Sequence, residues 1–329
     1  KAVLEQNLTQ PDLAQRHPTY FNAMTSALQQ ISWQELQAAT GIEPDAFVRA
    51  AKAAAGARRV VIVAGQLLLR SEQGYSGCLT LLDLLLLTGK LDEPGCGFAP
   101  LAEENNDQGA VEMGTVTEFL PGAQPITSGT EREKIAKQWK SELPTDKGAS
   151  LIEMLERANA KSLKAMFIVG ENPVGSLPAA IHAEASLRNL DLLVCQELFL
   201  TETAALAHVV LPAASSLEKH GTFTNTEGHV QAVRPSSEPV GESRPDWEIF
   251  SALSILLNSP MEYAESKEIL KEIRSLIPGY SSLGPTPLPP KVDRSVVDRY
   301  LTDGYQRDLA TRYHPIPRVS RPDGTVRLE

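Results

Sequence analysis

The residues best placed for chemistry lie between Asp191 and Pro245. Leu192, Leu193, Val194 and Cys195 form a continuous apolar run, the pattern of a strand buried on both faces of a parallel sheet. Gln196, Thr201, Glu202 and Thr203 follow it directly, and open α/β sheets bind ligands just beyond the carboxyl ends of their strands. Thr201 and Thr203 can therefore contact a ligand, although Thr201 serves equally well as the cap of a helical turn through Ala204, Ala205 and Leu206. His208, His220 and His229, with Glu218 and Glu227, are the only other dense set of metal-ligating types. Strand and hairpin spacing sends them in several directions and no histidine pair falls at i, i+4, so they do not make a metal centre. Ser215 and Ser216 lack the strained Gly-x-Ser-x-Gly elbow of a serine hydrolase. Neither Gly-x-Gly-x-x-Gly nor Gly-x-x-x-x-Gly-Lys occurs.

Alternating strands and helices must position these groups. Val60–Ala64, Ala165–Val169 and Leu192–Cys195 are buried strands by their apolar runs, and a further strand from Ala207 ends at Pro212. Thr222–Thr224 and Val230–Gln231, joined across Asn225–Gly228, predict a hairpin. Helices are expected from Tyr20 to Ile31, from Pro44 to Gly56, over Gly77–Thr88, Thr127–Leu143 and around Leu151–Leu155. Leu177–Leu187 should be a crossover helix, with Trp247–Leu257 and Ser266–Leu276 completing the set. Gly65 stands where the chain turns after the first strand. The first twenty residues read as an irregular lead-in, suggesting that the chain starts inside a longer one.

Length and composition narrow the classes. At 329 residues two domains are expected, and 41 acidic against 31 basic residues, a net charge of −10, argue against nucleic acid as a partner. No apolar run approaches the ~20 residues needed to cross a bilayer and no signal peptide is visible, so a cytoplasmic protein without membrane insertion is expected. Cys78, Cys96 and Cys195 form no Cys-x-x-Cys motif and cannot hold an iron–sulfur cluster alone. The expected organisation is a partial α/β domain over 1–100 and an α/β domain over 101–277 with a hairpin insertion at 215–240. A proline-rich linker and polar tail over 278–329 completes it.

The run from Leu211 to Gln231, with Glu218-Lys219-His220-Gly221-Thr222-Phe223-Thr224-Asn225 at its centre, resembles the molybdopterin oxidoreductase family. Its Asn-Thr-Glu-Gly-x-Val-Gln ending and Arg244-Pro245-Asp246-Trp247 are most similar to the large iron–sulfur subunit of NADH:quinone oxidoreductase, respiratory complex I. The polar segment Leu101–Ala110, Met113-Gly114, Pro121-Gly122 and Gly170-Glu171-Asn172-Pro173 extend the resemblance over residues 20–276. It implies doubly wound, mostly parallel sheets flanked by helices, like domains 1–3 of formate dehydrogenase and DMSO reductase, without their carboxyl-terminal β-barrel. The corresponding positions for a pterin-linked guanine dinucleotide are Gly65, Gln66, Asn106, Gln108, Gly109, Gln196, Thr201 and Thr203.

Three departures shape the functional expectation. Leu67 replaces a glycine of the phosphate-approach loop, and Ala102 and Glu104 stand where catalytic relatives have arginine and glutamine. Loss of a guanidinium and gain of a carboxylate both oppose an anionic cofactor. The expectation is a scaffold of the complex I subunit, peripheral to the inner membrane, with no cofactor in this chain and iron–sulfur clusters confined to a missing amino-terminal portion. That portion and other subunits of the peripheral arm would be its partners. The alternative is a fragment of an active molybdenum or tungsten enzyme such as the formate dehydrogenase alpha subunit, holding molybdopterin guanine dinucleotide.

Overall fold

The computed structural model describes residues 1–277 apart from Asp92 and Glu227, together with Tyr280. The expected linker and tail over 278–329 otherwise lie outside the described residues. The chain divides between Glu104 and Asn105 into two compact units.

In the first unit, α1 (Pro18–Gln29), α2 (Trp33–Thr40) and α3 (Pro44–Gly56) precede β1 (Val61–Ala64), α4 (Gly74–Leu87) and β2 (Gly97–Pro100). Both α1 and α3 open on proline, which is pre-set for a first turn whose N–H has no partner to lose. Ser32 and Glu35 form a reciprocal capping box at the start of α2, and Gly41 closes it at φ +70°, a conformation that favours glycine. The core joins Met24, Leu28 and Ile31 to Leu86 and Leu87. Tyr20 Oη donates to the buried Asp83 carboxylate on α4 at 2.9 Å. The lead-in is not irregular: Ala2–Glu5 and Leu13–Arg16 are helical, and Val3 and Leu13 are buried in this core.

Strands β1 and β2 pair in parallel, Val61 opposite Gly97. Val61 and Val63 are exposed, so the pair is covered on one face only. Gly65 is not at a forced turn. It has φ −81° and ψ 166°, and a β-carbon there would meet nothing within 4 Å.

In the second unit, α5 (Asp107–Glu112) and α6 (Gly129–Trp139) lead to α7 (Leu151–Asn159), which Ser150 and Glu153 cap reciprocally. Then follow β3 (Ala165–Val169), α8 (Ala183–Leu187), β4 (Leu192–Glu197) and β5 (Val209–Pro212), a parallel sheet in the order β3-β4-β5. Leu155, Ala158 and Leu187 pack against Met166, Ile168, Leu193 and Cys195 on one face of that sheet. The alternation in β3 is the signature: Met166 and Ile168 are buried while Ala165, Phe167 and Val169 are exposed. The expected crossover helix Leu177–Leu187 is broken, because His182 takes a left-handed φ of +52° between a 3-10 turn and α8.

Pro212 leaves the sheet, and the chain returns at Arg244, whose N–H donates to the Pro212 carbonyl at 3.1 Å while Ala214 N–H donates to the Arg244 carbonyl at 2.8 Å. The excursion between carries the antiparallel hairpin of β6 (Gly221–Thr224) and β7 (Val230–Val233). Helices α9 (Asp246–Leu256) and α10 (Ser266–Leu276) follow. Phe250 of α9 meets Phe167 of β3 with ring centroids 6.1 Å apart. The expected α/β class, its parallel strands and its hairpin are all present, but the strands expected to be buried throughout are not: Val61, Val63, Phe167, Val169 and Leu192 are exposed.

Candidate functional site

The densest polar network sits at the carboxyl ends of β3 and β4. After β3 the chain turns through Gly170, at φ +62°, to Asn172. The Asn172 amide oxygen accepts from Thr203 N–H at 3.1 Å and from Thr203 Oγ1 at 2.8 Å, and its nitrogen donates to Glu202 Oε2 at 2.8 Å. Val174 N–H donates in turn to Thr203 Oγ1 at 3.1 Å, so this fully buried hydroxyl is satisfied as donor and acceptor. One asparagine thus ties the loop after β3 to the loop after β4. A β-carbon at Gly175 would collide with the Asn172 amide, which gives this glycine a steric reason.

Glu202 is the exposed end of the network. Its own backbone N–H, and then the Asn172 amide, hold its carboxyl below the usual range. Thr201 is a cap, its Oγ1 accepting from Ala204 N–H at 3.2 Å. Before it Leu198, Phe199 and Leu200 are exposed, Phe199 by 77%.

Gln196 ends the buried part of β4, with 0% of its surface exposed. Its Nε2 donates to Asp246 Oδ1 at 2.7 Å, and Asp246 is also ion-paired with Lys219. Its Oε1 is buried with no hydrogen-bond partner. On the other side of β4, burial and then the Glu197 charge push the Cys195 thiol up, the behaviour of an inert core cysteine. Beside the Asn172 loop a cavity of about 420 Å³ is lined by Val174, Leu177, His182 and Arg188. The Arg188 guanidinium is engaged by Glu184 at 2.8 and 3.1 Å.

The remaining expected positions have contacts of their own. Asn106 precedes α5 and accepts from Thr224 N–H of the hairpin at 2.8 Å. A β-carbon at the buried Gly109 would strike the Asn106 side chain, and Gln108 bonds Glu112 one turn on at 2.8 Å. Gly65 and Gln66 belong to the first unit, where Gln66 opens a short helix through Leu69. Leu67 in that helix is 83% exposed. Among the described residues no group of three or more histidines, cysteines or acids could hold a metal, and no helix is long and apolar enough to cross a membrane.

Sequence reasoning placed Glu202 in the candidate loop and Asn172 in a family segment, but missed the tie Asn172 makes between the two loops and the roles of Lys219 and Asp246. The available signal was the Gly-Glu-Asn-Pro turn directly following a buried strand.

The family described as Molybdopterin oxidoreductase matches residues 12–255. The chain is 33% identical over 283 residues to the F420-dependent formate dehydrogenase subunit alpha of Methanocaldococcus jannaschii, covering 85% of this chain and 42% of that protein. It is 32% identical over 286 residues to the NADPH-Fe(3+) oxidoreductase subunit alpha of Geobacter sulfurreducens, 87% of this chain and 33% of that one. Acetylene hydratase from Pelobacter acetylenicus shares the fold, with a TM-score of 0.61 at 15% identity over 82% of this chain and 40% of that one. The chain therefore spans less than half the length of these relatives. They do not support the expected assignment to the complex I subunit and favour the formate dehydrogenase alternative.

Proposed function

The chain belongs to the molybdopterin oxidoreductase family, and we propose on that premise that it is part of the alpha subunit of a formate-dehydrogenase-type oxidoreductase. In this reading it cradles the dinucleotide end of a molybdopterin guanine dinucleotide at the carboxyl edge of β3 and β4. The carrying observation is the Asn172 network, which fixes two strand-end loops against each other where parallel sheets take ligands. The unpartnered Gln196 Oε1 supports the fit, since a buried acceptor without a donor is costly and a base or pterin supplies one.

When bound, the cofactor would supply two-electron redox chemistry at its metal. The chain's own residues bind and orient. Glu202, ionised and exposed, is placed to accept hydrogen bonds from ribose hydroxyls, and Asn172 keeps its carboxylate in place. Gly170 turns the chain at φ +62° and Gly175 leaves room for the Asn172 amide.

The expectation of a cofactor-free scaffold rested on Leu67, Ala102 and Glu104, and two local features weaken it. The Leu67 side chain stands out in solvent, and Arg70, ion-paired with Glu103, brings a cation to the same segment as Leu67. The partners proposed with this function are the rest of the same subunit and an electron-accepting subunit, in place of the complex I peripheral arm.

Expression in a host that makes the cofactor, followed by elemental analysis for molybdenum and tungsten and by assay of released GMP and oxidised pterin, tests the reading. Near-stoichiometric GMP and pterin are expected, and Asn172→Ala should lower both. Protein free of pterin and GMP would restore the scaffold.

A further inference from the structure

The segment Ala46–Ser71 holds Arg49, Lys52, Arg58, Arg59 and Arg70 and no acidic residue, within a chain whose net charge is −10. All of these cations are exposed. Arg70 is paired with Glu103, whereas among the described residues the side chains of the other four have no ion-pair or hydrogen-bond partner. Arg49 and Lys52 lie one turn apart on α3, outside the face that Phe47, Val48 and Ala51 pack into the first unit's core. Neither belongs to the last turn of α3, so the helix dipole does not account for them. Arg58 and Arg59 follow where the chain leaves α3 for β1. Side chains alternate along an extended strand, so Arg59 is in line with Val61 and Val63, and both valines are exposed. A β-carbon at Gly95 would come within 2.9 Å of the Arg59 side chain, so Arg59 packs on the turn entering β2. Asp45, in the first turn of α3, and Glu93, in the turn that carries Gly95, make no described ion pair with these cations.

We propose that this corner of the first unit docks an acidic protein segment, whose carboxylates face Arg49, Lys52, Arg58 and Arg59 and whose apolar side chains cover Val61 and Val63. The inference stands apart from the cofactor reading. Charge complementarity selects the partner's sign, because cations without acids among them attract an anionic surface and repel a cationic one. The valines select its class. A phosphate backbone would pair with the cations and leave both valines wet, whereas a protein segment brings apolar side chains to them. A bilayer fits less well, since valines standing on a sheet face are too short to pass the headgroups.

Fluorescence anisotropy with the full 329-residue chain tests this. The probe is a labelled helical peptide with a leucine stripe flanked by glutamates. It is set against the same peptide with lysine for glutamate, polyglutamate, single-stranded DNA, and vesicles of phosphatidylserine and phosphatidylcholine. The glutamate–leucine peptide should bind best, and raising salt from about 50 to about 300 mM should weaken it about fivefold. Arg49→Glu, Lys52→Glu and Arg58→Glu combined should lower its affinity by about tenfold or more, and the corresponding exchange of both arginines for lysine should keep it. Lys147→Glu, at an exposed cation of the second unit, should change it by less than about twofold. Val61→Thr with Val63→Thr keeps the β-branched shape and should cost about threefold for the peptide while leaving polyglutamate unaffected. Every altered side chain is exposed, so folding is preserved and each variant reports on binding. An equal loss in Lys147→Glu overturns the proposal in favour of net charge, and polyglutamate binding as tightly as the peptide overturns the role of the valines. Tighter binding of DNA or of vesicles overturns the protein partner. Binding of the lysine peptide as well as its counterpart, or failure of the unaltered chain to bind the glutamate–leucine peptide, overturns the docking surface.

Discussion

Two strand-to-loop corners in this chain look alike as sequence and are built differently. β1 runs through Val61–Ala64 into Gly65-Gln66, and β4 runs through Leu192–Glu197 into Thr201-Glu202-Thr203. Both are apolar runs followed by small or polar residues. At the first corner Gly65 is extended in open space and the next helix points Leu67 into solvent. At the second, Thr203 and Gln196 are fully buried and bonded to Asn172 and Asp246. A glycine after a strand is permission for a site, whereas buried polar groups held by distant partners are the expense of one. The difference teaches that convergence, which sequence spacing does not record, separates a built site from an ordinary loop.

The comparison can be broken by mutation. Leu193→Ala, at a fully buried position of β4, should destabilise by about 2–5 kcal/mol through transfer and cavity terms. Val63→Ala, 58% exposed on β1, should cost less than about 0.5 kcal/mol. Denaturant unfolding measures both, and equal losses would erase the distinction between the strands. Asn172→Ala strands the Thr203 N–H and hydroxyl, so a loss of about 2–3 kcal/mol is expected. Gly65→Ala should be neutral or stabilise by up to about 1 kcal/mol, since its backbone suits any residue. A large loss at Gly65 would show that this corner is also occupied. Tyr20→Phe extends the test to the first unit, where removing the donor to the buried Asp83 carboxylate should cost about 1.5–3 kcal/mol in the same assay.

The smallest effect concerns pH. Burial first, and then the hydrogen bond to Glu272 at 2.9 Å, push the Tyr263 phenol up from 10 to about 12. The folded state thus favours the neutral phenol. Its contribution is complete below pH 10 and is lost as pH rises from 10 towards 12. Thermal midpoints across that window should fall less steeply for Tyr263→Phe, and identical slopes would remove the assignment.

The sequence made the second unit's sheet legible because its strands are uninterrupted apolar runs, and periodicity located α1, α3 and α4. It hid β2, since Gly97-Phe98-Ala99-Pro100 contains residues that strands avoid and only pairing with β1 makes it one. It hid α5, where Asp107-Gln108-Gly109 reads as loop until packing against the hairpin holds it. The crossover read as one helix because nothing local announces that His182 will turn left-handed. In the site, Gln196 and Thr203 were visible as polar residues after a strand. Their ties to Asn172, 31 residues before Thr203, and to Asp246, 50 residues after Gln196, were not, because tertiary folding alone brings these residues together.

The clasp between Pro212 and Arg244 has an engineering corollary. The chain departs and returns through hydrogen bonds at one place, and within the excursion Lys219 is tied back to Asp246 and Thr224 to Asn106, both well before Gly241. Closing a longer loop costs only about 0.6 kcal/mol for each doubling of its length. Gly241 lies on the returning limb with open space around it, well past the hairpin. A reporter peptide spliced at Gly241 should leave the unfolding midpoint of the chain nearly unchanged, making that limb a natural graft point.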